Sequence, residues 1–335
     1  MRHANFVIAL ALAAVIAVPA MAQKTVFFGI GSPPRAHLVQ QVFIPWSKKV
    51  SAESGGAIKV EVRAGRTLVS PFNVYERVQA DVAQIGWGVQ SFMKGRFRRS
   101  AVVGLPFEAN TAEEASVALW RLYAKGVTAA EYKEVKPLAI IVFPPSSLHS
   151  KSKPIKSLAD IKGMKIAVGD RLGAQVLKRL GAAPISLRLP EMYQGLNRGT
   201  VAGVHMVWTA FMPFKLFEVT AHHYDLPLGA ASAMVFMSTK GYDALPAAGR
   251  KAIDANSGEA FSRSFGKFWD RVGRGGRGAV AKMPGHSFET MSSADVAEWR
   301  ASMQPVVEGW KKGIPDGARI LEAFRAELAS IRAGK

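Results

Sequence analysis

The stretch "GMKIAVGDRLGAQVLKRLGA" (163–182) places a cation where a strand hands over to a helix. A mostly apolar run, Met164 to Val168, reaches Gly-Asp-Arg-Leu-Gly, and helical spacing follows at once. Helix N-termini present unpaired N–H groups, and a guanidinium holds a carboxylate through two parallel hydrogen bonds. Arg171 at this mouth is a candidate anion contact. Asp170 beside it is suited to capping the helix.

Other chemistry is sparse. There is no Gly-x-Ser-x-Gly and no P-loop. "GIGSPPR" (29–35) opens like a dinucleotide loop but lacks the third glycine, and Pro33-Pro34 stand where the helix would start. The absence of cysteine excludes thiol catalysis and Cys-based zinc sites, and leaves the fold without disulfides. The histidines after residue 22 form no His-Glu-x-x-His. His222 and His223 are adjacent, so in a strand they face opposite ways. His205, within an apolar run, reads as a core or pocket-wall residue. The acids (Glu53, Glu76, Glu113, Glu114, Glu191, Asp254, Glu259) fall mostly on predicted helices, as solvated faces and caps. No carboxylate pair stands where acid–base work needs one. Binding is therefore favoured over catalysis.

Aromatic and methionine side chains gather at predicted strand ends: Trp87 and Phe92, Phe143, Met206, Trp208 and Phe211, Met234 and Phe236. Trp87 and Trp208 each sit where a strand meets a turn.

The elements that carry these residues alternate. "KTVFFGI" (24–30), "AIKVEVRAG" (57–65) and "VAQIGWGV" (82–89) read as strands, with helices over 35–54 and 71–80 between them. A capped helix (111–127) leads to the strand "PLAIIVFPPSS" (137–147). After a basic linker (151–163) a second strand–helix unit follows: the opening stretch, "PISLRL", a helix over 190–198, a strand over 200–208 and a helix over 210–220. A strand and turn (232–246) precede a long helical pattern from about 248 to 281, for which Gly273 to Gly278 predict a late break. Two further helices close the chain. The pattern predicts an α/β fold with largely parallel sheets in two lobes, ligand between them at the strand C-termini.

The chain has 335 residues, 49% of them hydrophobic, enough for two cores. Its formal charge of +19 admits nucleic acid, anionic membranes or acidic ligands as partners. The N-terminus narrows this. Arg2 and His3, an apolar stretch from Phe6 to Val18, and Ala20-Met21-Ala22 predict a secretory signal cleaved after Ala22. That stretch is too short to span a bilayer comfortably. An exported protein that is not integral to the membrane and binds no nucleic acid is the expectation. The basic residues are also dispersed, with no stripe of interleaved aromatics.

Five segments in order resemble the substrate-binding subunit of tripartite ATP-independent periplasmic (TRAP) transporters, the DctP type. They are "FIPWSKKVSAESGGAIKVEVRAG", "GRFRRSAVVGLPF" (95–107), "KPIKSLADIKGMKI" (153–166), "LGAAPISLRLPEMYQGLNRGTVAGV" (180–204) and "YDALP" (242–246). The resemblance implies a two-lobe periplasmic binding protein fold with an interlobe cleft and a long helix crossing both lobes. It implies capture of a small solute, usually an organic acid, and delivery to TRAP membrane permease subunits by cleft closure. It implies no cofactor, no metal and no chemistry. Approximate lobes are 24–146 plus 230–280, and 147–229 plus 281–335.

The chain departs from that family at telling places. The arginine that usually follows Lys-Ile is Ala167 here. A second cationic position falls near Ser146-Ser147. The acid of Val-Asp-Gly is Ala202, and a polar contact becomes Met206. Arg171 matches a further arginine present in some members. The candidate ligand-binding set is Arg171, Trp87, Gly88, Ser147, His149, Met206, Trp208, Phe211 and Met234, suited to an organic acid with an apolar or aromatic body. Competing readings are a receptor for a neutral or lipid-like solute and an exported enzyme on the same fold.

Overall fold

The computed structural model describes residues 23–335, apart from 94 and 291. The expected signal segment, residues 1–22, lies outside the described residues.

Eleven described strands form two sheets. They are β1 (Lys24–Ile30), β2 (Ile58–Ala64), β3 (Ile85–Val89), β4 (Val135–Val142), β5 (Ser147–Ser150), β6 (Lys165–Val168), β7 (Ala183–Ser186), β8 (Gly203–Met206), β9 (His222–Asp225), β10 (Ser232–Ser238) and β11 (Ser287–Thr290). The first sheet runs β2-β1-β3-β10-β4 and the second β11-β9-β5-β8-β6-β7. Both are mixed rather than largely parallel. β10 is antiparallel to β3 and β4, and β5 is antiparallel to β8 and β9. The cause is the route of the chain. It leaves the first sheet at the end of β4 and re-enters at the same edge as β10, so these strands must run oppositely.

The two passages between sheets are tied together. Phe143 N–H donates to Ala231 O (2.9 Å), Ser146 N–H to Gly229 O (2.8 Å) and Leu228 N–H to Ser146 O (3.1 Å). Phe107 N–H donates to Pro227 O (2.7 Å) and Ala230 N–H to Val103 O (3.0 Å), adding a third segment. Gly229 has φ +89°, and a Cβ there would stand 2.1 Å from Gly104 O, so only glycine fits this hinge ribbon.

The long helix Glu259–Val280 buries Phe261, Phe265, Phe268 and Trp269 on one stripe against Phe43, Trp46 and Trp87 of the first lobe. Fully burying one such ring contributes about 1.5–3 kcal/mol. The sequence predicted one pattern from about 248 with a late break. The break comes early instead: helix Ala247–Ala255 ends before Gly258, whose φ is +88°. The helix then passes Gly273 to Gly278 intact. Gly276 lies against the Trp208 carbonyl, where a Cβ would come within 2.8 Å, so packing overrides the low helix propensity. The helix expected over 210–220 is absent. Short turns at Trp208–Ala210 and Leu216–Glu218 replace it, interrupted by Pro213 and by Lys215 at φ +54°.

At the C-terminus, helix Ser293–Gly313 gives Trp299, Met303 and Val306 to the core of the second lobe, and Val307 and Trp310 to the first. Helix Gly317–Arg332 packs Ile320, Leu321, Phe324 and Leu328 into the first core beside helix Ala112–Ala124. Arg325 and Arg332 pair there with Glu108 and Glu114. Of the segment 281–335 expected in the second lobe, β11 thus joins the second sheet, while the last helix lies on the first lobe.

Candidate ligand-binding cleft

Register aligns the strand ends that matter. In the first sheet Ile30 is opposite Trp87, Val89 opposite Ala233, and Ser232 opposite Val142. In the second, Val168 is opposite Ser186, Ala167 opposite Val204, and Ser147 opposite Met206. The hinge ribbon joins these two edges, so the strand ends of one lobe face those of the other. Such an edge is where α/β proteins hold ligands.

Trp208, buried but for a small area, centres an aromatic cluster of the second lobe at the end of β8. Its ring lies 4.4 Å from Phe211, 4.7 Å from His149, 4.9 Å from His223, and stacks at 5.7 Å on Phe288. Its Nε1–H donates to Asp225 Oδ1 (2.7 Å), and Asp225 Oδ2 accepts from Arg277 Nε (2.6 Å). Arg277 lies near the end of the long helix and covers the Phe288 ring at 4.7 Å. The indole plane is thereby locked and tied to the element that joins the lobes.

Beneath Trp208 runs a chain of three imidazoles. His149 Nε2 is 3.1 Å from Met206 O, its Nδ1 is 3.0 Å from His223 Nδ1, and His223 Nε2 is 2.9 Å from His286 Nδ1. A carbonyl oxygen only accepts, so His149 carries its proton on Nε2. His223 then donates from Nδ1, and His286 donates from its own Nδ1. Burial holds His149 and His223 neutral, with pKa values pushed down to about 3 and about 2. Both ring nitrogens of His149 are used and the residue is buried. The sequence reading made His149 a ligand contact; here its two nitrogens are engaged within the second lobe and its ring packs on Trp208. His222, on the other face of β9, meets Ser287 Oγ at 2.8 Å, as strand alternation requires.

Asp170 Oδ1 accepts from Gly173 N–H (2.8 Å), the expected cap on helix Arg171–Arg179. His205 lies against Gly173, buried, with Nε2 unpartnered among the described residues. Desolvation lowers its pKa, opposed by the Asp170 charge. Arg171 is exposed and makes no ion pair with a described residue. Its neighbour Leu172 packs on Gly104 of the first lobe, which puts this turn at the lobe boundary. Ala167 is wholly buried in an apolar cluster with Met192, Leu196, Val204, Trp208 and Phe211.

The remaining expected contacts divide. Trp87 keeps a small exposed area among Phe43, Phe143 and Phe265. Met206 is half-buried at the end of β8. Phe211 and Met234 are fully buried, in the second and first cores respectively. A Cβ on Gly88 would meet Met93 and Val74 at 2.5 and 2.6 Å, so this glycine permits close packing of helix Val74–Gln79. Ser147 Oγ bonds Leu226 backbone groups (3.3 and 3.4 Å) and closes the ribbon. Gly88 and Met234 are thus engaged in the packing of the first lobe, and Ser147 in the ribbon.

Two further residues at the lobe boundary, Arg188 and Phe72, were not singled out in the sequence. Arg188 follows β7, and its guanidinium carbon sits 5.5 Å from the centre of the Phe72 ring of the first lobe. Phe72 is 52% exposed and packs on Phe92 at 5.1 Å. "PISLRLPE" has the same strand–cation–helix order as the Arg171 stretch, which was the available signal.

Residues 29–312 match the family model DctP, bacterial extracellular solute-binding protein, family 7. The chain belongs to this family. Like other family 7 receptors, it has solved structural counterparts of the same fold. A TRAP solute-binding protein from a marine metagenome, specific for aromatic acid ligands and solved with 3-hydroxybenzoate, matches 92% of this chain and 98% of its own. Its TM-score is 0.85 at 30% identity. A TRAP solute-binding protein from Rhodoferax ferrireducens T118, solved with copurified benzoate, matches 91% and 98%, with a TM-score of 0.83 at 30% identity. The outer membrane transporter protein TsaT of Comamonas testosteroni is 28% identical over 331 residues, 96% of this chain and 97% of that one. No helix among the described residues is long and apolar enough to cross a membrane. Among the described residues no group of three or more His, Asp or Glu side chains is arranged to hold a metal.

Proposed function

We propose that this solute receptor captures an aromatic carboxylate in the interlobe cleft and passes it, chemically unchanged, to a TRAP permease. The observation that carries the reading is a locked aromatic cluster, Trp208 with Phe211 behind it, on the same sheet edge as Arg171, a guanidinium with no acidic partner among the described residues. The cluster suits a ring; the cation and the helix N-terminus suit the acid. The benzoate and 3-hydroxybenzoate in the two structural relatives support this assignment. Trp87 and Met206 complete the lining in this reading, and residues 1–22 are a signal removed on export to the periplasm. The lobes are 24–142 with 232–280 and 317–332, and 147–225 with 287–290.

Melting curves with benzoate, 3-hydroxybenzoate and mandelate, against their neutral amides, test the proposal. A ligand at one hundred times its Kd stabilises the folded state by about 2.7 kcal/mol, a rise of several degrees. The acids are expected to give that rise and the amides little. A panel in which no acid shifts the melt, or acids and amides shift it equally, contradicts the assignment.

A further inference from the structure

Arg188 and Phe72 meet from different lobes. Phe72 lies after β2, the outer strand of the first sheet, and Arg188 after β7, the outer strand of the second. The hinge ribbon leaves from β4 and β10 and enters β5 and β9, on the other side of both sheets. The contact therefore sits at the cleft mouth, on the side away from the hinge. Phe72 is placed there by its loop. Asn73 Oδ1 accepts from Ser70 N–H (2.6 Å), and Pro71 packs so close to Gly31 that a Cβ there would stand 2.7 Å from its ring.

The chemistry of the contact is specific. A guanidinium lying on an aromatic face is held by the ring quadrupole and keeps its N–H groups free at its edges. Those edges are what a carboxylate takes in a two-pronged pair. Arg188 has no acidic side-chain partner among the described residues; Glu191 accepts only from its backbone N–H (3.0 Å). Parallel pairing of β6 with β7 brings the Arg171 and Arg188 loops out side by side.

We propose that Arg188 is a second anion-binding residue of this receptor, oriented by Phe72 from the opposite lobe. Because Phe72 reaches Arg188 only when the lobes are together, capture of the anion and closure of the cleft are coupled. The inference rests on the aromatic-carboxylate reading above.

The test is calorimetric titration of benzoate and benzamide into wild type, Arg188→Gln, Arg188→Lys and Phe72→Leu. Arg188 is exposed, so its variants should keep the ligand-free melting temperature, which is measured alongside. Arg188→Gln is expected to weaken benzoate at least tenfold and leave benzamide within twofold. Arg188→Lys should recover part of the loss, since it restores charge without the planar fork. Phe72→Leu should weaken benzoate several-fold through faster release. Benzoate affinity unchanged in Arg188→Gln, with wild type binding normally, overturns this inference alone. Failure of wild type itself to bind aromatic acids overturns the carboxylate reading and this inference with it.

Discussion

His149, His223 and His286 form a chain whose proton positions follow from one carbonyl oxygen. Adding a proton would leave two N–H groups facing each other inside the second lobe. In the unfolded chain these rings protonate near pH 6.5, whereas in the fold His149 and His223 resist protonation down to about 3 and about 2. Below pH 6.5 the unfolded state therefore binds more protons, and stability falls as pH falls, levelling only below about 2. The slope is about 1.4 kcal/mol per pH unit for each histidine, on the order of 2 kcal/mol each between pH 7 and 5. Urea unfolding at the two pH values measures this. A midpoint clearly lower at pH 5 is expected, with a smaller difference in His223→Gln. An equal or higher midpoint at pH 5 contradicts the neutral chain. Sequence alone named His149 as a candidate ligand contact but did not show that both its nitrogens were taken. Its partners lie 57 and 74 residues away, and no local pattern encodes such pairings.

The long helix shows how packing and propensity compete within one element. Gly275 and Gly278 face open space, while Gly276 and Gly266 lie against backbone, of Trp208 and of Ala112–Glu113 respectively. Alanine at 275 or 278 should stabilise the protein by up to about 1 kcal/mol, through helix propensity alone. Alanine at 276 forces a methyl to within 2.8 Å of a carbonyl oxygen and should cost about 1–3 kcal/mol. Thermal unfolding of the three variants separates the effects; the same sign at all three would contradict the packing account. The glycine run was visible in the sequence as a break signal, because nothing in the run itself reveals what lies opposite. The alternating strands β1 to β3 were legible for the opposite reason: their alternation and turns are local. Short strands such as β5, β9 and β11 were not, being four residues each and held by partners distant in the chain. The Asp170 cap was legible because capping needs only three residues of context.

Over the whole molecule, the two sheets, the ribbon and the long helix make one hinged body with its strand ends turned inward. The charge of +19 is not spent on internal pairing alone. Arg35 and Arg66 of the first lobe, and Arg171 and Arg188 of the second, follow strand ends and have no acidic partner among the described residues. A cleft edged by one sign of charge focuses its field and draws in anions. This, with the Trp208 cluster, favours the proposed aromatic acid over a neutral or lipid-like solute. The most direct measurement is calorimetric titration of 3-hydroxybenzoate into the purified protein, at several temperatures and beside its neutral amide. The account predicts a single site, a negative heat-capacity change from burial of the ring, and binding of the amide at least tenfold weaker. Absence of binding to folded protein at millimolar acid, or equal affinity for acid and amide, contradicts it.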